Sequence, residues 1–325
     1  MAYPEGLTYA NMRTLILEKL QDSGIAVWTT GEIDTAIEEG LRQLSNIHPY
    51  IFKAEFNIES RQGTATSDVA NALVDTANSQ FLSSDVGKWI YNSDDRTWAV
   101  VTAFVSSSRL TLSKDAFPDG NEKYQMFNNG CSDTKEFNID APQQPDGALG
   151  RRTFDWLHIK KIEYPILEDP PRFLRRGEWE FKERNILRLN VTDEPDDTSQ
   201  ADAADEIWVY FELEHKLSQL TTLLGKIDLL AGYAAGSISI HVDDLQASGT
   251  LYKGQEFTVD NAMGLYVVDY QRTIASSETD ISFWPPLKDA TVDNATVRFK
   301  ASSLSYQLEA PFADLATGKA AMKKA

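Results

Sequence analysis

Aspartate side chains stand in adjacent pairs at three places in the sequence, and paired carboxylates are groups that can cleave glycosidic bonds or bind calcium. Both activities require carboxylates held in a fixed mutual geometry. Neighbouring acids within polar stretches more often form turns and carry solvated charge. We therefore expect turn-forming roles for all three pairs, with no catalytic or metal-binding residue among them. The pairs are Asp94 with Asp95, Asp196 with Asp197, and Asp243 with Asp244.

Other common kinds of site also lack their sequence signatures. The chain contains no GxGxxG, GxxxxGK[ST], GxSxG or HExxH motif, which mark nucleotide, hydrolase and zinc sites. The single cysteine, Cys131, rules out an intrachain disulfide and a paired-cysteine zinc site, and it fits a reducing compartment. These patterns predict a protein that is not an enzyme and has no metal ion or organic cofactor. The four histidines are far apart in sequence: His48, His158, His215 and His241.

One basic cluster, "PPRFLRR", interrupts an otherwise acidic chain. Its cations are Arg172, Arg175 and Arg176. They either contact an acidic face of a neighbouring subunit or neutralise the local carboxylates of Glu168 and Asp169. The first alternative makes the cluster a candidate for contact between subunits.

Several tryptophans lie in segments with the pattern of strands. Trp89, Trp98, Trp179 and Trp208 are in such segments, where core packing or subunit contact is expected. Stacking against a carbohydrate is the alternative role for exposed rings.

The overall composition is that of a folded protein with more than one domain. Of its 325 residues, 42% are hydrophobic and 25% are charged, and this length favours two or three domains. No apolar run approaches the roughly 20 residues of a membrane-spanning helix, and the N-terminus does not resemble a signal peptide. We therefore expect synthesis and folding in the same compartment, without membrane association.

The net charge of −18, from 49 acidic and 31 basic residues, argues against a protein that wraps nucleic acid. Such binding depends on cations that neutralise phosphates. The acidic excess serves either solubility or a surface past which DNA moves without adhering.

Helical patterns occur at both ends of the chain. Apolar residues at helical spacing predict a first helix from Thr8 to Gly24, with Gly24 as its C-terminal cap. A second helix has Thr29 as its N-cap and Glu32 as the capping-box partner. A third is predicted to begin after Pro311. Their apolar stripes need a common core, so we expect the hairpin and the last helix to form a small bundle.

Between these ends, strand patterns dominate. Apolar residues alternate from Phe52 to Ile58, as in a half-buried strand, and similar patterns recur further along. The sequence predicts an α+β fold that is mainly β, with antiparallel modules of meander, barrel or sandwich type. The segment "KLSQLTTLLGKIDLLAGYAAG" is predicted to be partly helical, and the two modules share a rough order of parts. The predicted segments are a helical hairpin (1–50), a first β module (51–117), a linker (118–150), a central β segment with an acidic loop (151–236), a second β module (237–302) and a C-terminal helix (303–325).

Together, several of these segments resemble the head-to-tail connector, or neck adaptor, proteins of tailed bacteriophages. The opening "LILEKLQDSGIAVWTTGEIDTAIEEGLRQLSNIHPY" resembles their helical hairpin, and the closing "LEAPFADLATGKAAMKKA" resembles their last helix. The central "IEYPILEDPPRFL", "ILRLNV" and "DEIWVYFELEHKL" resemble their β segment. The stretch beginning "GSISIHVDDLQASGTLYKGQEFTVDN" is similar to small β modules of phage virion proteins. The β modules inserted between the helices depart from the family pattern.

The resemblance implies a structural role in the virion neck, for a protein made in the cytoplasm of a host bacterium. Connector adaptors form rings, usually of twelve copies, between the portal protein and the next neck or tail protein. DNA passes through the bore without sequence-specific binding. The resemblance also implies that the C-terminal segment contacts the portal protein. The residues expected there are Lys319, Lys323, Lys324, Phe312 and Leu315.

Two other functions remain open from the sequence. The chain is alternatively a tail, baseplate or head-decoration protein of a virion, or a β-rich protein that binds or cleaves glycans. The helices at both ends have no evident use in a glycan-binding module, which favours the connector.

Overall fold

The structure is a computed structural model that describes residues 6–59, 61–139, 156–183, 185–192 and 206–324. Within these ranges the chain forms an α+β fold that is mainly β, as predicted. The helices are α1 (Tyr9–Lys19), α2 (Thr30–Ile47) and α3 (Tyr306–Met322). The strands of the first half are β1 (Tyr50–Asn57), β2 (Gln62–Thr64), β3 (Ala72–Val74), β4 (Trp89–Asn92), β5 (Thr97–Ser106), β6 (Arg109–Leu112), β7 (Lys123–Phe127), β8 (Glu136–Asn138) and β9 (Trp156–Glu163). Those of the second half are β10 (Trp179–Phe181), β11 (Ile186–Leu189), β12 (Glu206–Leu213), β13 (Leu224–Ile227), β14 (Ser239–Asp243), β15 (Ser248–Leu251), β16 (Glu256–Val259), β17 (Ala262–Val268), β18 (Arg272–Ala275), β19 (Thr279–Trp284) and β20 (Thr296–Phe299).

The chain divides into two compact units. Unit 1 consists of Met1–Phe52, Thr153–Ile159 and Phe211–Ala325, and unit 2 consists of Lys53–Arg152 and Lys160–Tyr210. Unit 1 contains the three helices and a β-barrel. Unit 2 contains a six-stranded sheet and a smaller three-stranded sheet. A further sheet has the order β1-β12-β9, and the division of the chain passes through each of its strands.

The helices of unit 1 form the expected bundle. Thr29 and Glu32 make the predicted capping box, in which each side chain bonds to the other residue's backbone N–H. Trp28 and Ile33, on either side of this cap, are both buried in the bundle core. The carboxylate of Glu309 in α3 accepts a hydrogen bond from the backbone N–H of Leu7 at 2.9 Å, which ties the start of α1 to α3.

Two predicted helix ends were wrong. Helix α1 ends at Lys19, and Gln21 rather than Gly24 takes the left-handed conformation after it, with φ of 56°. Helix α3 begins at Tyr306, five residues before Pro311. Proline lacks a backbone N–H and removes one hydrogen bond from the helix, but the buried Phe312 and the other apolar residues of α3 hold it in place.

Unit 1 also contains a closed six-stranded barrel with the order β13-β14-β19-β17-β16-β20. Its interior is filled by aromatic side chains, with Phe257 in contact with Tyr266, Phe283 and Phe299. Prolines directly follow β19, as predicted, and end its ladder. Strand β13 lies within the segment predicted to be partly helical, so that prediction was wrong, and the barrel begins before residue 237.

Unit 2 is organised around a six-stranded sheet with the order β2-β7-β4-β5-β6-β3. Strand β7 pairs with both β2 and β4, and β8 pairs with β11 in the three-stranded sheet β10-β11-β8. Both β7 and β8 fall in the segment 118–150 that was predicted as a linker. The linker prediction was therefore wrong for residues 118–139, while residues 140–150 lie outside the described ranges. The acidic loop predicted before β12 lies mostly outside them too.

Candidate functional site

The C-terminal lysines expected at a portal contact are paired within the helical bundle. The ammonium of Lys323 lies 3.0 Å from the carboxylate of Glu39, and that of Lys324 lies 3.1 Å from the carboxylate of Glu32. The hydrogen bond from Lys323 lowers the pKa of Glu39. Because both acids belong to α2, these pairs attach the end of α3 to α2. Lys319 is half-buried on the same helix.

One of the two apolar residues expected at that contact, Phe312, faces inward. Phe312 is 1% exposed, and its ring lies 3.0 Å from the position that a Cβ on Gly40 of α2 would occupy. Leu315 is half-buried. Phe312 therefore belongs to the core of the bundle and does not reach a partner in this fold.

Other apolar side chains are exposed where α3 ends. Lys324 donates a hydrogen bond to the carbonyl of Val27, so the end of α3 lies beside the loop that joins α1 to α2. Three apolar residues of this region are exposed: Ile25 by 47%, Val27 by 61% and Met322 by 73%. We call Ile25, Val27 and Met322 the bundle tip. Exposed apolar groups with nearby lysines are typical of a protein contact.

The arginine cluster lies on the surface of unit 2. Arg172, Arg175 and Arg176 are all exposed. The guanidinium of Arg172 lies 4.0 Å from the carboxylate of Glu178, rather than against Glu168 or Asp169. Such an exposed pair contributes little stability, and the role of the cluster in subunit contact stays a prediction.

The first acidic pair lies in a turn, as expected, whereas Asp243 of the third pair is the last residue of β14. The side-chain oxygen of Asn92 accepts hydrogen bonds from the backbone N–H groups of Asp94 and Asp95. Asp244 has a left-handed backbone, with φ of 56°, and its carboxylate pairs with Lys226 at 2.6 Å. Asp196 and Asp197 lie outside the described residues.

Two of the four histidines meet in unit 1. The rings of His48 and His215 are stacked with centroids 6.3 Å apart, and Nε2 of His215 lies 2.8 Å from the carbonyl oxygen of His48. Burial lowers the pKa of His215. A carbonyl only accepts hydrogen bonds, so Nε2 of His215 carries a proton and donates it to the carbonyl of His48. Over the described part of the chain, no group of three or more His, Cys, Asp or Glu side chains is arranged to hold a metal ion.

The tryptophans of unit 2 pack against other aromatic rings. The centroid of Trp98 lies 5.8 Å from that of Trp89, 4.6 Å from that of Tyr91 and 5.5 Å from that of Phe127. The ammonium of Lys53 covers the ring of Trp208 at 3.4 Å. These contacts agree with packing roles rather than with carbohydrate stacking.

A cleft of about 350 Å³ opens in unit 1 where the barrel meets the helices. Inside it, the ammonium of Lys300 lies 2.8 Å from the carboxylate of Glu256 and 2.9 Å from the hydroxyl of Tyr50. The Tyr50 hydroxyl donates to the same carboxylate at 3.0 Å, and burial, followed by the charge of Glu256, raises the pKa of Tyr50. We call this space the cleft. Its other lining residues include Tyr9, Glu38, Leu41, Arg42, Phe52, Glu214, His215, Lys216, Leu217, Tyr252, Lys253 and Val267.

A second exposed apolar group lies on the barrel. Leu230, in the loop from β13 to β14, is 91% exposed. Met263 at the start of β17 is 76% exposed, and Val292 in the loop from β19 to β20 is 54% exposed. We call Leu230, Met263 and Val292 the barrel tip.

Unit 2 contains a buried cluster of four charged side chains. The guanidinium of Arg61 and the ammonium of Lys88 each pair with the carboxylates of both Glu59 and Asp85. Burial opposes the ionisation of Glu59, but the charges of Lys88 and Arg61 hold its pKa well below the usual range. All four side chains are at most 9% exposed, and the two positive charges balance the two negative ones. The cluster therefore has a structural role: it holds Glu59 and Arg61, which follow β1, against Asp85 and Lys88, which precede β4.

Sequence analysis missed the cleft, the barrel tip and the ion cluster. The residues that meet in the cleft are separated by more than 200 positions, as Tyr50 and Glu256 are, and no local pattern connects them. In the ion cluster, Glu59 and Arg61 are close in sequence, but only the fold brings Asp85 and Lys88 to them. No helix in the described ranges is both long and apolar enough to cross a membrane. Comparison of the chain with known protein families, with curated proteins and with solved structures found no match.

Proposed function

We propose that the chain is a structural subunit in the neck of a tailed-bacteriophage virion. Its copies form a ring between the portal protein and the next neck or tail component, with DNA passing through the bore. The proposal assigns the chain no reaction and no cofactor. Its work is to hold a defined shape and to present contact surfaces to its neighbours.

The observation that carries the proposal is the presence of two separate exposed apolar surfaces on unit 1. The bundle tip lies at the junction of the α1–α2 loop and the end of α3, and the barrel tip lies on the strand loops of the barrel. Exposed apolar surfaces mark sites of protein contact. A subunit of a neck ring needs more than one such surface, because it touches its copies on both sides and different proteins above and below.

The arrangement of the helices also supports the proposal. Both ends of the chain join in one bundle, where Leu7 bonds to Glu309 and Lys19 pairs with Asp314 at 2.7 Å. The β modules are inserted between these ends. The helices at both ends are parts that resemble connector adaptors, whereas the insertion of the β modules departs from the family pattern.

The charge of the chain is compatible with a pore for DNA. The net charge of −18 repels phosphates, which opposes tight non-specific binding to DNA in transit. A ring multiplies this repulsion by its number of copies.

We expect the bundle tip to contact the portal protein. The double variant Val27→Asp/Met322→Asp places two charges among exposed apolar groups, and it should weaken binding to portal-bearing, DNA-filled heads at least about tenfold. Co-sedimentation of the purified variant with such heads measures this. Both side chains are mostly exposed, so the fold should not change. Deleting α3 is a poorer test, because it removes Phe312 from the bundle core.

The matched control is Leu167→Asp, which alters an apolar side chain of unit 2 that is 68% exposed. It should bind the heads as the unaltered protein does. If the Val27 and Met322 variant also binds normally, the portal contact lies elsewhere on the chain. If the unaltered protein fails to bind portal-bearing heads at all, the proposed function is wrong.

A further inference from the structure

The cleft and the barrel tip lie at opposite ends of the same barrel. Strand β13 is antiparallel to β14 and β20, and β16 is antiparallel to β17 and β20. The loops β13–β14, β16–β17 and β19–β20 therefore share one end, where Val292 lies beside Gly232 and the backbone N–H of Met263 bonds to Asp289. The cleft is lined by residues at the other end, including Glu256 at the start of β16 and Lys300 after the end of β20.

The barrel tip is a group of exposed apolar side chains with acidic neighbours. Leu230 projects from its loop with 91% of its surface exposed. The carboxylates on the three loops of this end are those of Asp228, Asp260, Asp289 and Asp293. Lys288 is the one cation on these loops in the described ranges.

The cleft has the complementary chemistry. Its walls include the apolar or aromatic side chains of Leu41, Phe52, Leu217, Val267, Tyr9 and Tyr252. Four cations line it, Arg42, Lys216, Lys253 and Lys300, with three carboxylates, those of Glu38, Glu214 and Glu256. Lys300 and Tyr50 already bond to the carboxylate of Glu256, so the remaining lining charge favours cations. This local excess of cations contrasts with the net charge of −18 of the whole chain.

We propose that the barrel tip of one copy docks in the cleft of the next copy, with Leu230 inserted between its apolar walls and Asp228 facing Arg42 and Lys216. This inference rests on the proposed function, because it names the contact that joins neighbouring subunits. A volume of about 350 Å³ is within the usual range for a pocket that encloses a small group. Apolar burial drives the contact, and the charges set its orientation.

Contact between opposite ends of a barrel is heterologous: each copy uses two different surfaces and leaves one of each free for further copies. Such a contact closes into a ring when the rotation between copies permits, and otherwise it extends as a filament. Ring closure thus belongs to the proposed function, whereas docking of tip in cleft belongs to this inference. An experiment can therefore contradict the ring without contradicting the docking of tip in cleft, or contradict the docking without contradicting the ring.

The test uses two variants of the full chain, each with one altered surface. The first variant, Leu230→Asp, alters the barrel tip, and the second, Arg42→Glu/Lys216→Glu, alters the cleft. Both variants should fold, because all three side chains are exposed. Each alteration should weaken the contact at least about tenfold and leave mainly monomers. When the two variants are mixed, they should form a 1:1 dimer, because the intact cleft of the Leu230 variant accepts the intact barrel tip of the Arg42 and Lys216 variant. Native mass spectrometry identifies that dimer by twice the 36.4 kDa chain mass.

The matched controls make the same kinds of substitution on the surface of unit 2. Leu167→Asp and Arg109→Glu/Lys114→Glu alter exposed residues outside both surfaces and should assemble normally. The inference is overturned if either test variant assembles like the unaltered protein, or if the two monomeric variants form no dimer on mixing. If the unaltered protein forms filaments and the mixed variants form a dimer, the docking is supported and the ring is contradicted. Monomers of the unaltered protein contradict both.

Discussion

Replacing Arg61 with methionine will lower the free energy of unfolding by about 3 to 5 kcal/mol. The guanidinium of Arg61 is 5% exposed and bonds to the carboxylates of both Glu59 and Asp85, which are themselves buried. Without it, Lys88 is the one cation left beside two buried negative charges. The loss comes from those uncompensated charges, because breaking a buried ion pair costs far more than its net contribution when intact.

The effect of Arg61→Met should depend on pH. The cations of the cluster hold the pKa of Glu59 well below its unfolded value of about 4.3. A lowered pKa contributes stability above the unfolded value, and this contribution is lost as pH falls towards the folded value. In the variant, the Glu59 pKa rises and protonation relieves the repulsion. The stability difference between the two proteins should therefore narrow as pH falls below the unfolded value of about 4.3 towards the folded value.

Urea denaturation at pH 7 and at acidic pH measures both effects. The matched control is Arg298→Met, because Arg298 pairs with Asp260 at 3.4 Å with both side chains about half exposed. It should cost no more than about 1 kcal/mol. Equal losses for the two variants at neutral pH would show that the cluster around Arg61 is solvated and does not stabilise the fold.

Replacing Phe312 with alanine will also cost about 3 to 5 kcal/mol. The ring is fully buried against Gly40, where the absence of a side chain lets α2 and α3 approach closely. Truncation to alanine leaves a cavity that backbone movement fills only in part. Thermal or chemical denaturation monitored by helical circular dichroism measures the loss.

The control for Phe312 is Tyr306→Ala on the same helix. Tyr306 is 81% exposed, so removal of its ring should change stability by less than about 0.5 kcal/mol. If Phe312→Ala left the free energy of unfolding unchanged, the Phe312 ring would be available to a partner, as the sequence alone predicted. The buried position in the bundle would then be incorrect.

The helices and several strands could be predicted because their signals are local. The capping box depends on two residues three positions apart, Thr29 and Glu32, and it was confirmed. The alternation along β1 also matches its burial, with Phe52, Ala54 and Phe56 buried. Signals of this kind depend on geometry within one element and need no knowledge of its neighbours.

The wrong secondary-structure predictions fall where pairing with strands distant in sequence outweighs the local amino-acid composition. Strand β7 lies in a segment rich in Gly, Asn and Pro, yet Tyr124 and Met126 alternate within it and are buried between β2 and β4. Strand β13 has four residues, Leu224–Ile227, and the leucines around it suit a helix, but β14 and β20 pair with it. Pairing across the sheet decides such short segments.

The candidate surfaces were less predictable than the fold. The expected portal residue Phe312 has the apolar character of a contact residue, but the same character places it in the core. The tip residues Leu230 and Met263 were not noticed, because an exposed apolar side chain is recognised as such only when the barrel around it is known. The cleft depends on residues from both ends of the chain.

Electron microscopy of the purified, unaltered protein, together with its mass in solution, tests the ring most directly. The proposed function predicts annular particles with an open centre and a mass that is a whole-number multiple of 36.4 kDa, far above that of one chain. The centre must be wide enough for duplex DNA. Particles of 36.4 kDa alone, with no rings at any protein concentration up to that of an assembling virion, would contradict the account.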